Sequence, residues 1–125
     1  MSIPVRGLIP LLTVKSVPAS IAFYERLGFA THRTHTPEGD DAPVWAWLTG
    51  DDCSLMVGES DEPPPEKKQG LIIYMYVDDV AAKHAELKAA GVDVSEISYP
   101  FWSKRGEFGM KDSDGYAIMI SHTGR

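Results

Sequence analysis

Four histidines, one cysteine and a close Arg–Glu pair are the first side chains of this 125-residue chain to test for bond chemistry. His32 and His35 stand three apart in a segment that reads as a strand. Side chains alternate along a strand, so the two are expected on opposite faces and not as a pair. His84 falls on the apolar stripe of an expected helix, where a core or boundary histidine is the plain reading, and His122 lies close to the C-terminal end. No HxxxH or CxxC spacing occurs, which removes the commonest sequence signals of a metal site. Cys53 follows Asp51 and Asp52, an acidic setting that does not make a nucleophile. Arg105 and Glu107 are two apart on an expected strand and should share a face, with Phe108 and Met110 on the other. The arginine could orient an anionic or carbonyl group, and the glutamate could act as a base or simply pair with the arginine. A plain surface ion pair is the competing explanation.

Aromatic residues are the stronger signal. Alternation puts Ile72, Tyr74 and Tyr76 on one face of a strand and Ile73, Met75 and Val77 on the other. The all-apolar face should pack on helices. Tyrosine, with an apolar ring and a polar tip, suits a half-wet cleft or a dimer interface. Trp45 and Trp47 share a face that is either core or open cleft. Phe101 and Trp102 follow a proline in a loop, where they either touch a ligand or cover the core.

What must position these side chains is a segment that occurs twice. LIPLLTVKSVPASIAFYERLGF (8–29) and LIIYMYVDDVAAKHAELKAAGV (71–92) superpose at an offset of 63 positions (71 minus 8). Leu8 then falls on Leu71, Ile9 on Ile72, Val17 on Val80 and Gly28 on Gly91. Ser16 falls on Asp79, both good helix N-caps, and Met56 falls on Met119. Each copy reads as strand, helix and three strands. In the first, a buried strand at 7–14 precedes a helix from about Val17 to Leu27, with Val17, Ile21, Tyr24 and Leu27 inward. Strands are expected at 29–36, 44–50 and 53–59. In the second, the strand at 71–77 precedes a helix from Val80 to about Ala90, with Val80, His84 and Leu87 inward. Strands at 92–97, 105–111 and 116–122 follow, the last two joined by a tight turn at 112–115. Module one thus spans about 7–59 and module two about 70–122. The proline-rich linker of about 60–69, with Pro63, Pro64 and Pro65, should run extended over the surface.

Size and composition narrow the function. The chain suits a single domain with one sizeable core. A net charge of −6 and a pI near 5.1 argue against a nucleic-acid partner. No apolar run approaches a membrane span, and the start of the sequence lacks a signal-peptide pattern. A lone cysteine leaves no internal disulfide. Together these features lead us to expect a cytoplasmic protein without a membrane partner.

Val14-Lys15-Ser16, Ser20, FYERLGF (23–29) and DSDGY (112–116), set in a βαβββ repeat, resemble the glyoxalase, bleomycin-resistance and extradiol-dioxygenase superfamily, also called vicinal oxygen chelate. FYERLGF is most similar to the bleomycin-resistance branch. The resemblance covers nearly the whole chain and implies an α+β fold, with two tandem βαβββ modules forming a curled mixed sheet around a concave cup. It also implies a homodimer. Metal-dependent members hold an ion with His or Gln on the first strand and Glu on the last strand of each module. The matching positions here are Ile9, Met56, Ile72 and Met119, so the floor of the cup is expected to be apolar and no metal or other cofactor is expected. The resemblance therefore implies sequestration of a small amphipathic molecule, such as an antibiotic of the bleomycin type, without catalytic residues. The ligand would meet Trp45, Trp47, Tyr74, Tyr76, Phe101, Trp102, Arg105 and Glu107. The alternative is a lyase, isomerase or dioxygenase whose metal sits at shifted positions such as His32 or His35 and Glu107.

Overall fold

The computed structural model describes residues 2–62 and 70–124. The stretch from Pro63 to Gln69, most of the expected linker, lies outside the described residues. The chain forms two compact units, Met1–Pro63 and Pro64–Arg125. The fold is α+β, and the described residues form seven strands in two open sheets and two helices.

The first unit runs β1 (Leu11–Val14), α1 (Val17–Leu27), β2 (Ala30–His35), β3 (Trp45–Thr49) and β4 (Ser54–Glu59). Its sheet order is β1-β4-β3-β2, with β1 and β4 parallel and the other neighbours antiparallel. Ser16 starts α1 by accepting the Ala19 N–H at 3.2 Å. Gly28 ends it at φ 108°, a left-handed conformation that side chains resist, and its N–H reaches the Glu25 and Tyr24 carbonyls. The buried stripe is Val17, Ser20, Phe23, Tyr24 and Leu27, while the expected Ile21 is half-buried. It packs against the apolar rows of the sheet: Leu12 and Val14, Leu55 and Val57, Ala46 and Leu48, all buried. The expected strand at 7–14 is shorter, beginning only at Leu11. Pro10 has no N–H for the ladder, although its carbonyl accepts the Met56 N–H at 2.9 Å, and Leu8 is exposed.

The second unit runs β5 (Ile72–Val77), α2 (Val80–Ala89), β6 (Glu107–Lys111) and β7 (Ala117–His122), with sheet order β5-β7-β6. Asp79 caps α2 through the Ala82 N–H at 2.9 Å. Val80 and Leu87 are buried on it, and His84 is half-buried with its ring edge-on to Phe108. Ile118, Ile120, Phe108 and Met110 form the buried rows of the sheet. The tight turn holds as expected: Asp112 Oδ1 accepts the N–H groups of Asp114 and Tyr116 at 2.9 Å each.

The strand expected at 92–97 does not form. That stretch touches β6 by the Ser95 N–H on the Gly109 carbonyl, and just beyond it Ser98 makes one isolated bridge to Glu107. The return bond uses the Ser95 hydroxyl, which accepts the Gly109 N–H at 2.8 Å where a ladder would use a backbone carbonyl. A serine side chain has replaced backbone pairing. Of the residues from 93 to 97 only Val94 and Ile97 are even half-buried, so little burial favours a regular strand. The strand expected at 105–111 likewise begins two residues late, because Gly106 adopts φ 99° and breaks the extended run.

The core dictates a stability test. Leu48 is completely buried, so Leu48→Ala is expected to cost about 2–5 kcal/mol in urea unfolding. Trp45→Ala, on the opposite face of the same strand, should cost distinctly less. Equal costs would contradict the assigned faces.

Candidate functional site

Burial of one row per sheet fixes which residues remain on the other. In the first unit, β3 pairs Trp47 with Met56 and Trp45 with Gly58, and β1 pairs Leu11 with Met56. Leu11, Met56, Trp47 and Trp45 therefore share the face away from Ala46 and Leu48. All four retain some exposure, with Leu11 the most open. In the second unit, Tyr74 lies beside Met119, which lies beside Gly109; the neighbouring row is Tyr76, Ser121 and Glu107. Ile72, Tyr74 and Tyr76 are 58%, 39% and 42% exposed. The tyrosine rings stack at 6.2 Å and 26°.

These registers determine the face of the tryptophans. The 63-residue offset holds for β1 and β4 against β5 and β7, since Leu11 pairs with Met56 as Tyr74 does with Met119. It fails for the middle strands. Trp47 lies opposite Met56, whereas Gly109 lies opposite Met119, an offset of 62 (109 minus 47). The connection between the last two strands is one residue longer in the second unit. Trp45 and Trp47 thus match Glu107 and Gly109, not the buried Phe108 and Met110, and face away from the core.

The expected opposition of His32 and His35 is also corrected. A register shift between Thr31 and Arg33 interrupts the alternation of β2. His35 lies opposite Trp45, and the His32 ring packs edge-on against Trp47 with centroids 5.2 Å apart. Both histidines therefore sit on the tryptophan side. Trp47 Nε1 is buried and finds no hydrogen-bond partner among the described residues.

Arg105 and Glu107 do not share a face. The turn at Gly106 separates them, tied by the Ser103 hydroxyl to the Gly106 carbonyl at 3.1 Å and by the Gly106 N–H to the Ser103 carbonyl at 3.0 Å. Arg105 instead lies against the His122 ring, with Nη1 3.3 Å from Nδ1, and lines a cleft of about 270 Å³ with Asp78, Ile97 and Tyr99. Glu107 is only 3% exposed and accepts the Trp102 Nε1–H at 3.2 Å. Phe101 and Trp102 are exposed and pack edge-to-face at 4.9 Å. Nothing in the sequence pattern singled out Leu11 or Tyr99. The repeat held the signal for Leu11, which falls on Tyr74.

The four positions that the resemblance assigns to metal ligands offer two alkyl and two thioether side chains. Met56, Ile72 and Met119 lie on the faces just described, and Ile9 is half-buried ahead of β1. Neither side-chain type suits a hard divalent ion. Among the described residues, no group of three or more His, Cys, Asp or Glu side chains that could hold a metal ion is found.

The sequence model of the Glyoxalase/Bleomycin resistance protein/Dioxygenase superfamily matches residues 8–120, and the chain belongs to that superfamily. Solved structures agree with the fold. A bleomycin-binding protein complexed with bleomycin matches at TM-score 0.73 and 19% identity, covering 95% of this chain and 99% of that one. A bleomycin resistance determinant encoded on the transposon Tn5 matches at 0.74 and 19%, covering 94% and 98%. TnmS3, an antibiotic-binding protein from Streptomyces sp. CB03234, matches at 0.67 and 23%, covering 98% of each chain. No curated protein matches the sequence. No helix among the described residues is long and apolar enough to cross a membrane.

The indoles differ in exposure, which fluorescence can read. Trp102 is 55% exposed, whereas Trp45 and Trp47 are half-buried. Trp102→Phe is expected to leave bluer emission that acrylamide quenches less. Unchanged quenching would contradict these placements.

Proposed function

We propose that this protein binds a small amphipathic molecule on its aromatic faces without a metal, and makes or breaks no bond in it. One observation carries the reading. The face of each sheet that the core leaves free is built from partly exposed aromatic and apolar side chains: Trp45, Trp47 and Met56 in one unit, Ile72, Tyr74, Tyr76 and Met119 in the other. Flat rings suit flat ligands, because stacking adds about 0.5–1.5 kcal/mol per aromatic pair beyond the area buried. Phe101 and Trp102 add exposed rings beside Glu107. The likeness in fold to a bleomycin-binding protein and to an antibiotic-binding protein agrees with this class of ligand. An antibiotic of the bleomycin type is the first ligand to try, and drug resistance by sequestration is the role it would serve. The protein is proposed to act in the cytoplasm as a homodimer, which sedimentation would test.

Thermal unfolding tests the reading directly. Zinc, nickel, manganese and iron at micromolar concentration are expected to leave the midpoint unchanged, while a bound amphipathic drug should raise it with concentration. Stabilisation by a divalent metal would overturn metal independence. In a fluorescence titration, Tyr74→Ala or Trp47→Ala should weaken the ligand by about tenfold, the equivalent of roughly 1.4 kcal/mol. Unaltered affinity in both variants would remove the aromatic faces from the site.

A further inference from the structure

Away from the aromatic faces, the cleft of about 270 Å³ opens on the helix side of the second unit. His122, which lines it, has the parity of Ile118 and Ile120 in β7, whose side chains are buried on the side that α2 covers. Ile97 and Tyr99 line it too, and they flank Ser98 in the chain. Ser98 bridges to Glu107, so its two neighbours turn to the side opposite Glu107. Residue 106 must be small for this to happen. A Cβ there would meet Ile97 Cγ2 at 2.9 Å and Tyr99 Cε1 at 3.0 Å. Gly106, at φ 99°, thus turns Arg105 into the cleft and also makes room for the two side chains beside it.

Opposite charges face this cleft, each anchored by a neutral neighbour. Arg105 Nη1 is 3.3 Å from His122 Nδ1 and 3.4 Å from Nε2. Distances so nearly equal place that nitrogen over the ring and not in line with either lone pair. The ring is itself fixed, because Nδ1 accepts the Gly124 N–H at 2.8 Å. Asp78 Oδ1 accepts the Thr123 hydroxyl at 2.6 Å, while Asp79 serves as the cap of α2. A carboxylate can accept about four hydrogen bonds and a guanidinium can donate about five, so both groups keep capacity for a ligand. Val80, Ala81 and Ile97 supply an apolar wall beside them. The volume falls just under the range of roughly 300–1,000 Å³ found for drug-sized ligands, so the occupant must be smaller than a drug. A carboxylate, an ammonium and a short apolar side chain on one small molecule match these features together.

We propose that this cleft is a second binding site, for the zwitterion of a free apolar amino acid: Arg105 takes the carboxylate, Asp78 takes the ammonium, and Val80, Ala81 and Ile97 receive the side chain. The site lies across the second sheet from Tyr74 and Tyr76 and does not depend on ligand binding at the aromatic faces.

L-Leucine, N-acetyl-L-leucine and L-leucinamide test it, since the second lacks the ammonium and the third lacks the carboxylate. Binding is read by calorimetry on the full chain near neutral pH. Arg105 and Asp78 are both exposed, and water screens their charges, so leucine is expected to bind with a Kd of about 1 mM. Each derivative should bind at least about tenfold more weakly. In the NMR spectrum, leucine should move the imidazole signals of His122 and leave those of His32 and His35 in place. Arg105→Gln should weaken leucine by about tenfold, and so should Asp78→Asn, which keeps an oxygen for the Thr123 hydroxyl. Full affinity in either derivative would overturn the zwitterion assignment. No leucine binding at about 10 mM, or signals that move at His32 or His35 instead of His122, would overturn the site. The three compounds and the His122 signals decide the matter on the unaltered chain, whether or not the variants fold.

Discussion

Helix burial of one sheet face is the constraint from which the rest of this molecule follows. Leu48 and Ala46 in one unit, Ile118, Ile120 and Phe108 in the other, are removed from water. Because a strand turns successive residues to opposite sides, fixing those rows leaves no choice about the remaining ones. The aromatic faces are the complement of the core. They are not assembled by loops, so their rings sit on hydrogen-bonded strands whose positions the core holds. A surface of this origin is preorganised, because its backbone is already ordered by the sheet.

Polar groups near those faces are managed by short-range devices. The Ser103 hydroxyl meets both the Gly106 carbonyl and the Ser121 hydroxyl, which anchors the turn before β6 to β7. Within the same few residues the Gly106 conformation sends Arg105 and Glu107 to different surroundings. An alternating strand would have placed opposite charges side by side, where they would largely cancel. The observed backbone keeps the carboxylate beside an indole and the guanidinium beside an imidazole.

Much of this architecture was legible in the sequence. The helix boundaries were marked by Ser16, Gly28 and Asp79, whose capping chemistry is local and strong. The faces of Ile72, Tyr74 and Tyr76 followed from an unbroken period of two. Errors arose where one residue upset that period. The shift in β2 brought both histidines to the tryptophan side, and the positive φ of Gly106 separated a pair expected to be neighbours. Ser95 reads as a plausible strand residue, and only three-dimensional pairing reveals that its hydroxyl displaces a backbone bond. Trp45 and Trp47 were undecidable for a related reason: the repeat fixed their register only if both hairpins had equal connections.

The unequal connections have an evolutionary consequence. If the halves descend from one ancestral module, their divergence in β3 and β6 need not have proceeded by successive substitutions. A single inserted or deleted codon in a turn exchanges every inward for every outward position of the adjoining strand. Such an event is destructive unless both parities of that strand can serve as core. Once tolerated, it gives the free face of that sheet a wholly different set of groups, here a carboxylate and a glycine where the other half has two indoles. Duplicated sheets of this type can thus acquire new surface chemistry in one genetic step while the outer strands keep their ancestral register.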